Sequence, residues 1–122
     1  MSETLPSVSS PAGAVTRQAP AGLPPTSFSR HELSVIFSLY GAKVAEGEWR
    51  DYSIDFLKDR AVFSIFRRSA ERPLYRIEKN PRLGRLQGAY SVIATTGLIL
   101  RRGHDLGKVL RVLDRRLRII QS

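Results

Sequence analysis

The stretch GEWRDYSIDFLKDRAVFSIFRR, residues 47–68, reads as two alternating strands joined by a tight turn at Lys58-Asp59. Successive side chains of a strand point to opposite faces, so a period of two reports which face is buried. With Lys58-Asp59 as a two-residue loop, Phe56 stands opposite Ala61, Ile54 opposite Phe63 and Tyr52 opposite Ile65. That register gathers these six apolar residues on one face. A three-residue loop would set Ile54 opposite Ser64 and break the pattern, because a slip turns side chains to the other face. Lys-Asp is not the preferred Asn-Gly type of turn, but the apolar register decides. The other face holds Asp51, Ser53 and Asp55 with Val62, Ser64 and Phe66, so it is expected to be partly solvated or covered at one end. Trp49, the only tryptophan, reads as a plug where the preceding helix meets the first strand.

That helix begins abruptly. Ser29 and Glu32 form an S-x-x-E capping box, in which each side chain satisfies the other's free backbone N–H, and Phe28 and Leu33 stand as a hydrophobic staple. Leu33, Ile36, Phe37, Tyr40 and Val44 then recur as one apolar stripe. Gly41 weakens the middle, and Gly47 is a natural stop. Upstream, residues 1–27 hold five of the seven prolines, with Ser, Ala, Gly and Thr between them and no helical or strand period. So little apolar surface cannot offset the entropy of ordering. The expected organisation is a disordered linker-like tail over 1–27 and a single domain over 28–122.

Beyond the hairpin, Ser69 to Pro73 reads as a loop and Leu74–Glu78 as a third strand with Tyr75 and Ile77 inward. Asn80–Gly88 is a basic loop. Tyr90–Thr95 is a fourth strand, broken or bulged at Gly97 before Leu98-Ile99-Leu100 continues as a fifth strand or an extension. Arg101-Arg102-Gly103 reads as a turn. Asp105 or His104 caps a last helix whose stripe is Leu106, Val109, Leu110, Leu113 and Leu117. The fold class is therefore α+β: an N-terminal helix, an antiparallel meander of four or five strands, and a C-terminal helix packed on the sheet.

Composition narrows the function classes. No apolar run approaches the ~18–20 residues of a membrane-spanning helix, and the N-terminus has no signal-peptide pattern. Without cysteine there is no disulfide framework, thiolate metal site or thiol nucleophile. A cytoplasmic location is expected. The net charge of +9 falls entirely on residues 29–122, because Glu3 and Arg17 cancel in the tail. Such an excess favours an anionic partner. Sixteen of the twenty basic residues are arginine, which a GC-rich genome would also produce.

No catalytic set assembles. His104-Asp105 has no nucleophile to serve and reads as a helix-capping pair. The two histidines lie 73 positions apart, with no ligand spacing. Glu46, Glu48, Asp51 and Asp55 lack the rhythm of a calcium loop and are neutralised by Arg50 and Lys58. NPRLGRLQG, residues 80–88, matches no phosphate-binding motif. No catalytic residue, metal or cofactor is expected. Three basic groups remain: Arg67-Arg68-Arg72, Lys79-Arg82-Arg85, and Arg101-Arg102 with Arg111, Arg115, Arg116 and Arg118.

GEWRDYSIDF, AVFSIFRR, PLYRIEKNP and GLILRRGHDL resemble segments of the small alphaproteobacterial proteins grouped only as a domain of unknown function. The resemblance covers about Phe28 to Leu117 and implies a bacterial cytoplasmic protein whose domain stands alone. It brings no activity and no site residues. On the residues themselves, the leading expectation is a non-enzymatic binding domain for a polyanion, RNA or DNA. Lys79, Arg82, Arg85, Arg101, Arg102, Arg111 and Arg115 would meet phosphates. The alternative is a protein-interaction or regulatory module, in which an edge strand or the last helix docks a partner such as an acidic protein.

Overall fold

The computed structural model describes residues 16–17, 25–68 and 72–114. Helix α1 spans Arg30–Ala45 and opens on the capping box: the Glu32 N–H donates to Ser29 Oγ at 3.0 Å and the Ser29 N–H to Glu32 Oε1 at 2.6 Å. Six strands follow one another in space as in sequence: β1 Thr16–Arg17, β2 Asp51–Phe56, β3 Ala61–Phe66, β4 Tyr75–Lys79, β5 Tyr90–Ala94 and β6 Ile99–Gly103. β2 to β6 form an antiparallel meander, and β1 lies parallel to β2 at the edge. Helix α2, Leu106–Leu110, starts on Asp105, whose Oδ1 accepts the Lys108 N–H at 3.1 Å. The class is α+β.

The hairpin has the register its alternation demands: Tyr52 pairs with Ile65, Ile54 with Phe63 and Phe56 with Ala61. Ala61, Phe63, Ile65, Ile77 and Val92 are all 0% exposed and form the floor of the core. Ile36 and Tyr40 of α1 and Leu106, Val109 and Leu110 of α2 cover them. Aromatic rings fill the α1 side. Phe37 meets Tyr52 and Phe63 edge-on at 5.2 and 5.4 Å, and buried Trp49 lies between Tyr40 and Tyr75. Each such pair adds roughly 0.5–1.5 kcal/mol beyond its buried area.

Four local expectations change. Val44 is 41% exposed, whereas Lys43 is 2% exposed, its Nζ 3.5 Å from Glu46 and 3.9 Å from Glu48. The inward face of α1 is thus rotated from the apolar stripe toward Glu32 and Lys43. Arg101-Arg102-Gly103 is strand, not turn. The chain reverses at residues 95–97, where the Gly97 N–H donates to Ala94 C=O at 2.9 Å, and Leu100 is the extra residue of a bulge opposite Val92 and Ile93. The last helix is shorter than its stripe. After Leu110 the chain tightens into a 3-10 turn, Arg111–Leu113, and leaves extended at Asp114. In that tighter turn residues three apart eclipse, so Leu110 and Leu113 are both buried. Leu117 lies outside the described residues. Finally, Thr16–Arg17 of the expected tail pair with Ile54 and Asp55, and Thr26 donates to Leu57 C=O at 2.7 Å. The remainder of residues 1–24 lies outside the described part.

One polar cluster joins α1 to the sheet. Glu32 Oε1 accepts from Lys79 Nζ at 2.8 Å as well as from the Ser29 N–H, and Glu32 Oε2 accepts from the Tyr90 hydroxyl. Burial pushes the Glu32 carboxyl up, but the hydrogen bonds from Lys79, Tyr90 and Ser29 together outweigh it and hold the group below its ordinary value. Burial, then the bond to the Glu32 carboxylate, pushes the Tyr90 phenol up to about 12.

The signs fix a pH window. Glu32 is depressed in the folded state, so its contribution is complete above the unfolded carboxylate value and lost as pH falls through the folded one. Tyr90 is raised, so its contribution is complete below about pH 10 and lost as pH rises through about 12. Glu32→Gln is expected to lower stability by about 1.5–3 kcal/mol at neutral pH. In urea denaturation the gap between this variant and the parent should narrow toward acid pH, and Tyr90→Phe should lose less stability than the parent between about pH 10 and 12.

Two glycines supply a second check. Gly97 has φ +94° with open space around it, whereas Gly88 has φ +103° and an added Cβ would lie 2.1 Å from the Gly103 carbonyl carbon. Gly97→Ala should cost about 1–2 kcal/mol, the penalty of a left-handed backbone. Gly88→Ala should cost clearly more, because the loop after β4 has to part from β6. Urea midpoints of the two variants read the difference.

Candidate interaction surface

The segment between β4 and β5 is a built loop. Pro81–Leu83 form a 3-10 turn that starts on Asn80, whose side chain accepts the Arg82 N–H at 3.1 Å. The Asn80 N–H donates to Ala89 C=O at 2.7 Å and the Gly88 N–H to Leu83 C=O at 2.9 Å, closing the loop at its base. Proline at the first turn position and a capping asparagine are the local reasons it folds this way. Arg82, Arg85 and Leu86 stand on its exposed side, Leu86 being 74% exposed. Arg102 ties the loop to β6 by donating to Gln87 Oε1 and, at 3.5 Å, to Ser91 Oγ.

β6 is the last strand of the sheet, and no described residue pairs with its outer edge. The opposite edge is different: β1 covers part of β2, and Thr26 lies against the β2–β3 turn, its Oγ1 donating to Lys58 C=O at 2.9 Å. Leu98 (63% exposed) and Ile99 (43%) stand at the start of β6, and Leu86 lies in the loop beside its end. Residues 79–104 contain five Lys/Arg and no Asp or Glu. The β6 edge thus combines free backbone groups, exposed apolar side chains and uncompensated positive charge.

The seven residues expected to meet phosphates do not share one face. Arg82 and Arg85 stay exposed on the loop. Arg101 and Arg102 lie on β6, but Arg101 pairs with Val92 on the helix-covered side and Arg102 with Ser91 on the open side. Arg111 borders a groove of about 430 Å³ between α1 and α2, with Val35, Leu39 and Leu110. Lys79 is taken up by Glu32 and, at 2.9 Å, by Ser27 C=O, which leaves its side chain 20% exposed. Arg115, like Arg116 and Arg118, lies outside the described residues. Arg67, Arg68 and Arg72 sit between β3 and β4, at the end of the sheet opposite the β4–β5 loop.

Asp105 caps α2, and Glu46 and Glu48 face Lys43. Among the described residues no group of three or more His, Asp or Glu is arranged to hold a metal ion, and no helix is long and apolar enough to cross a membrane. Leu86, Leu98 and Ile99 went unmarked in the sequence reading of the surface. Their signal was present only as apolar residues among glycines and arginines, without a period.

Residues 26–110 match the family described as "Protein of unknown function (DUF2794)". The matched span runs from just before α1 to the last residue of α2, so it takes in both helices and the whole meander. No curated protein and no solved structure matches the chain. With more than half its length inside the match, the chain belongs to the DUF2794 family of proteins of unknown function.

Proposed function

We propose that this domain is a non-enzymatic docking module that receives an extended, acidic segment of a partner protein along β6. The observation that carries the reading is the edge itself. Among the described residues it is the uncovered end of the meander, flanked by exposed Leu98, Ile99 and Leu86, with Arg82, Arg85, Arg101 and Arg102 beside it and no Asp or Glu in residues 79–104. Strand addition takes its affinity from main-chain hydrogen bonds and its specificity from alternate side chains. An acidic segment with apolar residues at every second position meets both needs here. Carboxylates on one face of that strand would reach Arg101, and apolar side chains on the other would cover Ile99.

A nucleic acid fits the same charge less well. The basic residues are divided between two sheet faces, the helix side and both ends of the sheet. Apart from Phe66 on the open face, the aromatic residues that would stack bases are engaged in the core or, for Tyr90, by Glu32.

The test is a titration watched by amide resonances. Short peptides alternating Glu or Asp with Val, Ile or Leu are expected to shift Leu98 to Gly103 and to bind more weakly as salt rises. Leu98→Lys with Ile99→Lys should abolish binding while the fold stays intact, and Arg101→Glu should weaken it. A single-stranded oligonucleotide that binds where the peptides do not, or peptide shifts that avoid β6, would overturn the reading.

A further inference from the structure

On the open face of the sheet, at the end away from the β4–β5 loop, Arg72, Pro73, Arg76, Ala94 and Thr95 enclose a cavity of about 280 Å³. Among the described residues no carboxylate lines it. Arg76 projects from β4 on the face opposite the helices, as its register partners Ser64 and Ile93 do. Its only acidic neighbour among the described residues is Glu78, and that carboxylate is divided. Glu78 lies 3.6 Å from Arg76 Nε and also 3.6 Å from an Arg60 guanidinium nitrogen. Arg60 also has Asp59 at 3.9 Å, so two carboxylates serve Arg60 and Arg76, whereas no acid among the described residues pairs with Arg72.

Arg76 Nε is a buried donor with no hydrogen-bond partner, since 3.6 Å to Glu78 exceeds a hydrogen bond. An unsatisfied buried donor in a folded protein calls for a missing partner, such as a water or an ion. The cavity rim is held in place from the other side. The Thr95 hydroxyl donates to Pro73 C=O at 2.7 Å and to Leu74 C=O at 3.0 Å, clamping the β5–β6 turn to the start of β4.

We infer that this cavity is a site for a phosphate group, free or carried by a small molecule, clasped between Arg72 and Arg76. Guanidinium groups match phosphate oxygens with paired, charge-assisted hydrogen bonds. A bound oxyanion supplies the counter-charge that Arg72 lacks among the described residues. The cavity adjoins the start of β6 but is lined by none of its residues, and it does not rest on the docking reading.

Titration with inorganic phosphate, followed by amide resonances, is expected to move Arg72, Arg76, Ala94 and Thr95, while chloride at matched ionic strength does not. Arg72→Gln should weaken phosphate binding roughly tenfold or more at unchanged melting temperature. Because Arg76 also pairs with Glu78, Arg76→Lys is the companion variant: it keeps the charge and should still lose the paired geometry and affinity. A sugar phosphate or nucleotide that binds more tightly than inorganic phosphate, at the same resonances, identifies a carried group; equal or weaker binding identifies the free ion. Shifts spread over all exposed arginines and reproduced by chloride would overturn the site, as would full affinity in Arg72→Gln. Peptide binding at β6 should be unchanged in Arg72→Gln.

Discussion

A carboxylate withdrawn from water at the seam between a helix and a sheet has to be met by donors, and Glu32 is met by three. The Ser29 N–H comes from the helix start, Lys79 from the end of β4 and Tyr90 from the start of β5. Lys79 and Tyr90 are direct cross-strand partners, so a single pair of residues on adjacent strands grips the first turn of α1. Desolvation opposes this arrangement, and the bonds prevail only because each points at the charged form. The grip also sets the rotation of the helix. Eleven residues are close to three full turns, so turning Glu32 inward brings Lys43 inward beneath the last turn and leaves Val44 outside.

This coupling explains where the sequence could be read and where it could not. The β2–β3 register was legible because six apolar residues agree on one face and a slip would contradict all of them at once. The capping box was equally legible, since both of its partners lie within four residues. The phase of α1 was not. Apolar spacing centres the buried face between Leu33 and Val44, and nothing local says that a glutamate and a lysine belong inside. That information sits at Lys79 and Tyr90, far along the chain. Lys79 shows the same problem in reverse: its charge marks it as a phosphate contact until its counter-ion, 47 positions away, is located. Arg101-Arg102-Gly103 reads as a turn in the sequence, yet it forms the second half of β6. On an edge strand one arginine can take each face and both remain solvated, so no rule is broken.

The two edges of the sheet are handled differently. β2 presents Asp51 and Asp55 on its outer face and is partly capped by β1, with residues 25–27 continuing alongside the β2–β3 turn. β6 has a bulge at Leu100 and two arginines, devices that hinder unplanned edge-to-edge pairing between like copies. On the proposed reading, the same charges that repel a second copy would attract an acidic strand. Exposed Ile99 would be a liability on an edge meant only to be closed, and it is placed where an incoming strand would cover it.

The open face of the sheet shows why net charge alone is a poor guide to a binding surface. No described helix covers it, yet Val62, Ser64, Ser91 and Ile93 are all below a tenth exposed. Their register neighbours supply the cover. Glu78 lies beside Val62 and Ser91, Arg76 beside Ser64 and Ile93, and Arg102 beside Ser91. Long polar side chains lay their aliphatic stems over short ones and keep their heads in water. Arginine on this face is therefore partly a roofing material, chosen for its stem as much as for its charge. Charge becomes informative only where it lacks a local counter-ion. By that measure Lys79, Arg60 and Arg76 drop out. What is left lies at several separate places, among them Arg82, Arg85, Arg101 and Arg102 beside β6 and Arg67, Arg68 and Arg72 at the other end of the sheet.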